Sequence, residues 1–108
     1  MKIDQVSVET LRQRLQSEEE MFLLDVREPF EVEYASIEGA ISIPMGEIPH
    51  RLEEIPQDCP IFVLCHHGIR SQQVAQWLSS QGIAPLHNVV GGIDAWSLEI
   101  DSEVPRYR

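Results

Sequence analysis

Residues 60–90 read PIFVLCHHGIRSQQVAQWLSSQGIAPLHNVV. IFVL (61–64) is an apolar run of strand length behind a proline, and its lack of alternation fits a strand buried on both faces. SQQVAQWLSSQ (71–81) puts Val74, Trp77 and Leu78 on one helical face, and Gly82 supplies a C-terminal stop. HNVV (87–90) is strand-like again. Strand, helix and strand in this order predict an α/β protein with a mainly parallel central sheet.

The flanking sequence extends the pattern. Ser7 is placed to cap a helix whose Val8, Leu11 and Leu15 share a face. The run Glu18-Glu19-Glu20 reads as a solvated loop. MFLLDV (21–26) is a second apolar run without alternation, hence a second central strand. EPFEVEYAS has Pro29 at the first position of a short helix. AISI (40–43) is a strand halted by Pro44, and 46–55 are one or two helical turns interrupted by Pro49. After HNVV, Gly91-Gly92 lead into the helix IDAWSLE and a tail broken by proline. Helices are expected on both faces of the sheet.

The chain has 108 residues, 18 of them acidic and 8 basic, a net charge of −10. That length suits a single domain over 1–108, with a core large enough to need no metal or disulfide. The negative charge argues against nucleic acid and membrane surfaces as partners, both of which reward basic patches. No apolar run approaches the ~20 residues of a bilayer span. The first residues lack the apolar core of a signal peptide. The expectation is a soluble, cytoplasmic protein.

Against this acidity, the segment from Ile61 to Ile93 contains no Asp or Glu, and Arg70 is its one formal charge. Cys65 sits inside it, at the carboxyl end of a predicted central strand, where α/β sheets collect reactive groups. A cysteine attacks as its thiolate, which a helix N-terminus or a neighbouring cation stabilises. The loop His66, His67, Gly68, Ile69, Arg70 is short. Gly68 gives it backbone freedom, and Ser71 is expected to cap the following helix. Its N–H groups can then converge into an anion-holding nest above the sulfur. With no acid in the window, Arg70 is expected to remain an uncancelled positive charge. Packing alone is the competing account of Cys65.

Cys59 lies six residues away across an extended strand, about 20 Å in span, so the two cysteines are not expected to pair. Cys59 reads as a small structural residue. Adjacent His66 and His67 are expected to point apart, and His50 and His87 lack ligand-like spacing, so no metal site is predicted.

Four segments, in order, resemble the single-domain rhodanese sulfurtransferases over almost the whole chain. They are LLDVRE (23–28), SIEGAISIP (36–44), CHHGIRS (65–71) and GGIDAW (91–96) with PRY (105–107). The resemblance implies that Cys65 attacks the outer sulfur of a small anionic donor such as thiosulfate and becomes a persulfide. A thiol, cyanide or protein acceptor then takes the sulfur, with no cofactor. It implies loop amides holding the persulfide, Arg70 on the donor's anionic end, and Asp25 and Arg27 as scaffold near the site. Ser36, Glu38 and Ser42 stand where the family usually has His, Pro and Asn, which bears on substrate preference. Two alternatives stay open. A phosphatase or arsenate reductase of the same fold uses a loop one residue longer, whereas four residues separate Cys65 from Arg70 here. A non-enzymatic sulfur-relay or partner-binding module would keep the same cysteine.

Overall fold

The computed structural model describes residues 3–107. The elements run β1 (Ile3–Val6), α1 (Val8–Gln16), β2 (Phe22–Asp25), α2 (Pro29–Tyr34), β3 (Ile41–Ser42), β4 (Ile61–Leu64), α3 (Ile69–Ser80), β5 (Leu86–Val89) and α4 (Gly92–Glu99). They form a five-stranded sheet in the order β1-β5-β4-β2-β3. Every strand pairing is parallel, as an α/β chain with helical crossovers requires. No helix among the described residues is long and apolar enough to cross a membrane.

The centre is β4, held between β2 and β5 in register Val63 with Leu24 and Val63 with Asn88. All four of its residues are buried. Side-chain alternation divides it: Ile61, Val63 and then Cys65 join one core cluster, Phe62 and Leu64 the other. The first cluster packs under α3 through Val74, Ala75 and Leu78, and the second under α1 and α4 through Leu11, Ile93 and Trp96. A strand apolar throughout is the chain's way of supplying both layers.

The caps follow from side-chain chemistry. Ser7 Oγ accepts the Thr10 N–H at 3.1 Å and starts α1. Gly82, at φ 84°, takes the left-handed turn that ends α3. The Gly82 N–H then reaches Ser79 O and the Ile83 N–H reaches Leu78 O, a double bond pattern that satisfies the last turn and buries Ile83.

The helical turns expected over 46–55 are 3-10 turns, Met45–His50 and Leu52–Glu54. Pro49 has no N–H for an α-helical bond, and the short turns still bring Ile48 and Ile55 into the core. The segment Ile3–Val6, assigned to no element from sequence, is an edge strand on β5.

Candidate active site

Cys65 follows β4 directly, 1% exposed, at the carboxyl edge of the sheet. Its Sγ receives the Gly68 N–H at 3.0 Å and lies 3.3 Å from Ser71 Oγ. Gly68 makes that approach possible: its φ of 102° reverses the chain so that its own amide faces back to the sulfur. It also starts α3, so the first-turn amides, which lack intrahelical acceptors, open toward the same hollow. Of the loop amides, the Gly68 N–H is the one that donates to the sulfur.

The hollow needs a second glycine. Ile93 N–H donates to Cys65 O at 2.9 Å and Asp94 N–H to His66 O at 3.1 Å, so the start of α4 clasps the loop from behind. A Cβ on Gly92 would lie 2.3 Å from Cys65 O and 2.5 Å from His66 O, and its φ is 57°. No side chain fits there. The Gly91-Gly92 pair is the clasp of the cysteine loop.

Ser71 is not the cap. Gly68 occupies that position, and Ser71 sits buried in the first turn with its hydroxyl turned inward. It donates to Asn88 Oδ1 at 2.5 Å, and Asn88 Nδ2 donates to Gln5 Oε1 and to Gly68 O. The Gly68 carbonyl can only accept, which fixes the Asn88 amide orientation. With its one hydrogen on Asn88, Ser71 Oγ accepts from the Cys65 thiol; toward a thiolate the hydroxyl must swing to donate. Asn88 and Gln5, on β5 and β1, were not anticipated as site residues.

Arg70 does not stand uncancelled. Its two terminal nitrogens donate to the two Glu31 oxygens at 2.7 and 2.8 Å, the bidentate fork typical of arginine and carboxylate. Glu31 comes from α2, outside the acid-free window, so reading along the chain missed what folding places beside it. Glu31 is only 7% exposed at its side chain and also accepts from Tyr107 OH at 2.8 Å and Glu28 N–H at 3.0 Å. Arg70 above all holds its carboxyl down at about 2, with the Glu28 amide and the Tyr107 phenol assisting against burial. The pairing raises Arg70 above its usual range.

Asp25 and Arg27 form a buried pair at the end of β2, 2.7 Å apart with side chains essentially unexposed. Arg27 also donates to Ala35 O, Glu31 O and Tyr107 OH, tying β2 to both ends of α2 and to the tail. The tail proves to be a wall of the site. The Tyr107 ring stacks on His66 at 4.0 Å and meets Tyr34 edge-on at 5.8 Å. Burial pushes the Tyr107 phenol up to about 12, so it stays a proton donor.

His66 and His67 do not point apart; their rings stack at 3.9 Å. His66 Nε2 meets Tyr107 O at 2.6 Å, and burial, with His67 beside it, keeps the His66 imidazole below its usual range. With Asp94 the two imidazoles bring three ligand-type atoms within 4.8 Å of one another. Two of the three are already engaged, His66 Nε2 with Tyr107 O at 2.6 Å and Asp94 with Arg106 at 2.9 Å. Cys59 is buried at the opposite end of β4, and both cysteines are free.

The sequence matches the rhodanese-like domain family over residues 7–99. The chain belongs to that family. A sulfurtransferase from Allochromatium vinosum is 38% identical over 95 residues, covering 88% of this chain and 89% of that protein. Rhodanese-like/PpiC domain-containing protein 12, chloroplastic, of Arabidopsis thaliana is 38% identical over 112 residues and 97% of this chain. This chain spans only 38% of the Arabidopsis protein's length, and 51% of another relative, YrkF of Bacillus subtilis. Among solved structures, a rhodanese-like domain protein of Staphylococcus aureus superposes with a TM-score of 0.84 at 27% identity, covering 98% of this chain and all of that one.

Proposed function

We propose that this rhodanese-like chain is a sulfurtransferase that carries sulfane sulfur as a persulfide on Cys65. The observation that carries this reading is the Gly68 N–H on Cys65 Sγ at 3.0 Å, at the start of α3 and the end of the central strand. A backbone donor and a helix N-terminus favour negative charge on that sulfur, before and after it takes up another. The Allochromatium relative, named a sulfurtransferase, supports the same assignment.

The reaction is two displacements at sulfur. The Cys65 thiolate attacks the outer sulfur of a donor such as thiosulfate, the S–S bond of the donor breaks, and sulfite leaves with the bonding pair. The terminal sulfur of the Cys65 persulfide is then attacked by an acceptor: cyanide in an assay, a thiol or a protein in the cell. Cys65 thiolate returns as the leaving group, so ping-pong kinetics follow. His66, His67, Gly68, Ile69 and Arg70 shape the cradle, and Ser71 turns its hydroxyl toward the sulfur when it is charged. Asp25 and Arg27 act as scaffold. The chemistry needs neither metal nor cofactor. With four residues between Cys65 and Arg70, the cradle is sized for a sulfur atom in preference to a phosphoryl group.

Intact-protein mass spectrometry after exposure to thiosulfate tests this. One added sulfur, mapped to Cys65 and removed by cyanide, is the expected result. Cys65→Ser abolishes the adduct and thiosulfate:cyanide turnover, while Cys59→Ser retains most of both. Equal losses from the two substitutions would assign the chemistry to neither site.

A further inference from the structure

The ion pair at the mouth of the site bears on which donor it takes. Arg70 is the only formal cation in the cysteine loop, and Glu31 cancels it. Glu31 is ionised at any working pH, with its carboxyl held at about 2. The remaining arginines among the described residues are no freer. Arg12 pairs with Glu9, Arg14 with Glu19, Arg27 with Asp25, Arg51 with Glu47 and Glu54, and Arg106 with Asp94. A dianion approaching this chain meets a net charge of −10 and, among the arginines of the described residues, none without a carboxylate partner.

Beside the cysteine loop lies a groove of about 380 Å³ that contains no lysine, arginine or carboxylate. The amides of Gln5, Gln72 and Asn88 supply donors and acceptors, and Ile69 and Val90 form an apolar rim, 71% and 51% exposed. Gly68 and Asn88 belong both to this groove and to the cradle of Cys65. A group leaving from the sulfur can therefore be housed there if it is an organic thiol. A sulfite dianion meets no lysine or arginine there, and the one ionisable side chain of the lining, His67, already faces the Asp94 carboxylate at 3.7 Å.

We propose that the donor is the persulfide of a small organic thiol, and that Glu31, by neutralising Arg70, is the residue that sets this preference over dianionic donors. The inference rests on the sulfurtransferase reading of Cys65. In the step, Cys65 thiolate attacks the outer sulfur of the persulfide RSSH, the RS–S bond breaks, and RS⁻ leaves with the electron pair and takes up the proton. Cys65 holds the transferred sulfur, and no external oxidant or reductant enters. Arg70 keeps the three N–H groups that Glu31 does not use and can still hydrogen-bond a donor; it no longer attracts one by net charge.

The test measures single-turnover sulfur loading of Cys65 by quenched mass spectrometry with three probes: cysteine persulfide, the monoanion methanethiosulfonate, and thiosulfate. The expected order is cysteine persulfide, methanethiosulfonate, thiosulfate, with about tenfold between the extremes. Thiosulfate loading of the unaltered protein rises with added potassium chloride, because salt screens a repulsion. Glu31→Gln frees the Arg70 charge: thiosulfate loading gains about tenfold and its salt dependence reverses, while cysteine persulfide changes little. A merely structural role for Glu31 would depress all three donors together and leave the salt slope as it was. Thiosulfate loading fastest of the three, and falling with salt in the unaltered protein, overturns the proposal without any variant. Absence of a Cys65 adduct with every donor would instead overturn the sulfurtransferase reading beneath it.

Discussion

Two arginine–carboxylate pairs lie near Cys65 and are built differently. Arg27 and Asp25 are sealed, with side chains 0% and 1% exposed; Arg70 and Glu31 sit at the surface of the site, at 33% and 7%. Arg27 directs its guanidinium to Asp25, Ala35 O, Glu31 O and Tyr107 OH, so it has an acceptor on every side. Arg70 reaches Glu31 alone. A charge removed from water must be fully satisfied, and such a pair is fixed. A charge left half in water tolerates incomplete bonding, so its balance can be altered without losing the fold. The first pair is a girder and the second is an adjustable field.

The largest effect is expected from breaking the sealed pair. Arg27→Met strands the Asp25 carboxylate in the core and should cost about 3–5 kcal/mol of unfolding free energy. For a domain of this size each kcal/mol lowers Tm by about 4–8 °C. Arg70→Met leaves Glu31 with the Glu28 amide and the Tyr107 phenol as donors and should cost less. Urea unfolding of both variants checks the contrast, and equal destabilisation would erase the distinction between girder and field.

The same contrast explains what could be read from the sequence. β4 and α3 were legible because their signals are local: an apolar run, a helical face, a stop glycine. The cysteine loop stood out by its acid-free window and its place at a strand end, and the pair Asp25 and Arg27 came with the resemblance of contiguous motifs. Edge strand β1 was not legible, since Ile3–Val6 has two polar residues among four and pairs with β5 only through folding. Glu31 was missed because charge was counted along the chain, and the acid-free window says nothing about α2. Tyr107 was read as part of a motif, while its role as a wall on His66 depends on where a proline-broken tail returns. Ser71 was read as a cap from its place after the glycine and arginine; the left-handed Gly68 starts the helix earlier and turns the serine inward.

A second, smaller effect isolates the adjustable pair by pH. Glu31 has its carboxyl lowered from 4.5 to about 2, chiefly by Arg70. A lowered carboxyl contributes stability that is fully present above about pH 4.5 and is lost as pH falls through about 2. The contribution is at most about 3.5 kcal/mol, since each pKa unit corresponds to about 1.4 kcal/mol. Glu31→Gln should flatten the stability profile across that window and leave the pH dependence of the neutral range unchanged. Denaturant midpoints of the two proteins, followed from neutral to acid, check it. Parallel profiles would mean that Arg70 does not hold Glu31 ionised.

The smallest effect concerns the atom that joins the two pairs. Tyr107 OH accepts from Arg27 Nη1 at 2.9 Å and donates to Glu31 Oε2 at 2.8 Å. Tyr107→Phe deletes both bonds but keeps the ring stacked on His66, the edge contact with Tyr34 and the backbone carbonyl on His66 Nε2. Arg27 then has one N–H without an acceptor, and Glu31 loses one donor of four. The loss should be about 1 kcal/mol, the ordinary net value of a hydrogen bond, because the shape is retained and Glu31 keeps its bonds from Arg70 and Glu28. Most of it should come from the Arg27 side, since that side is sealed. A Tyr107→Phe, Glu31→Gln double-mutant cycle separates the two contributions. Near-additive losses would place the cost on Arg27, as expected. Strong coupling would show that the tail phenol acts mainly through the Glu31 carboxylate, and so that the tail helps set the field at Arg70.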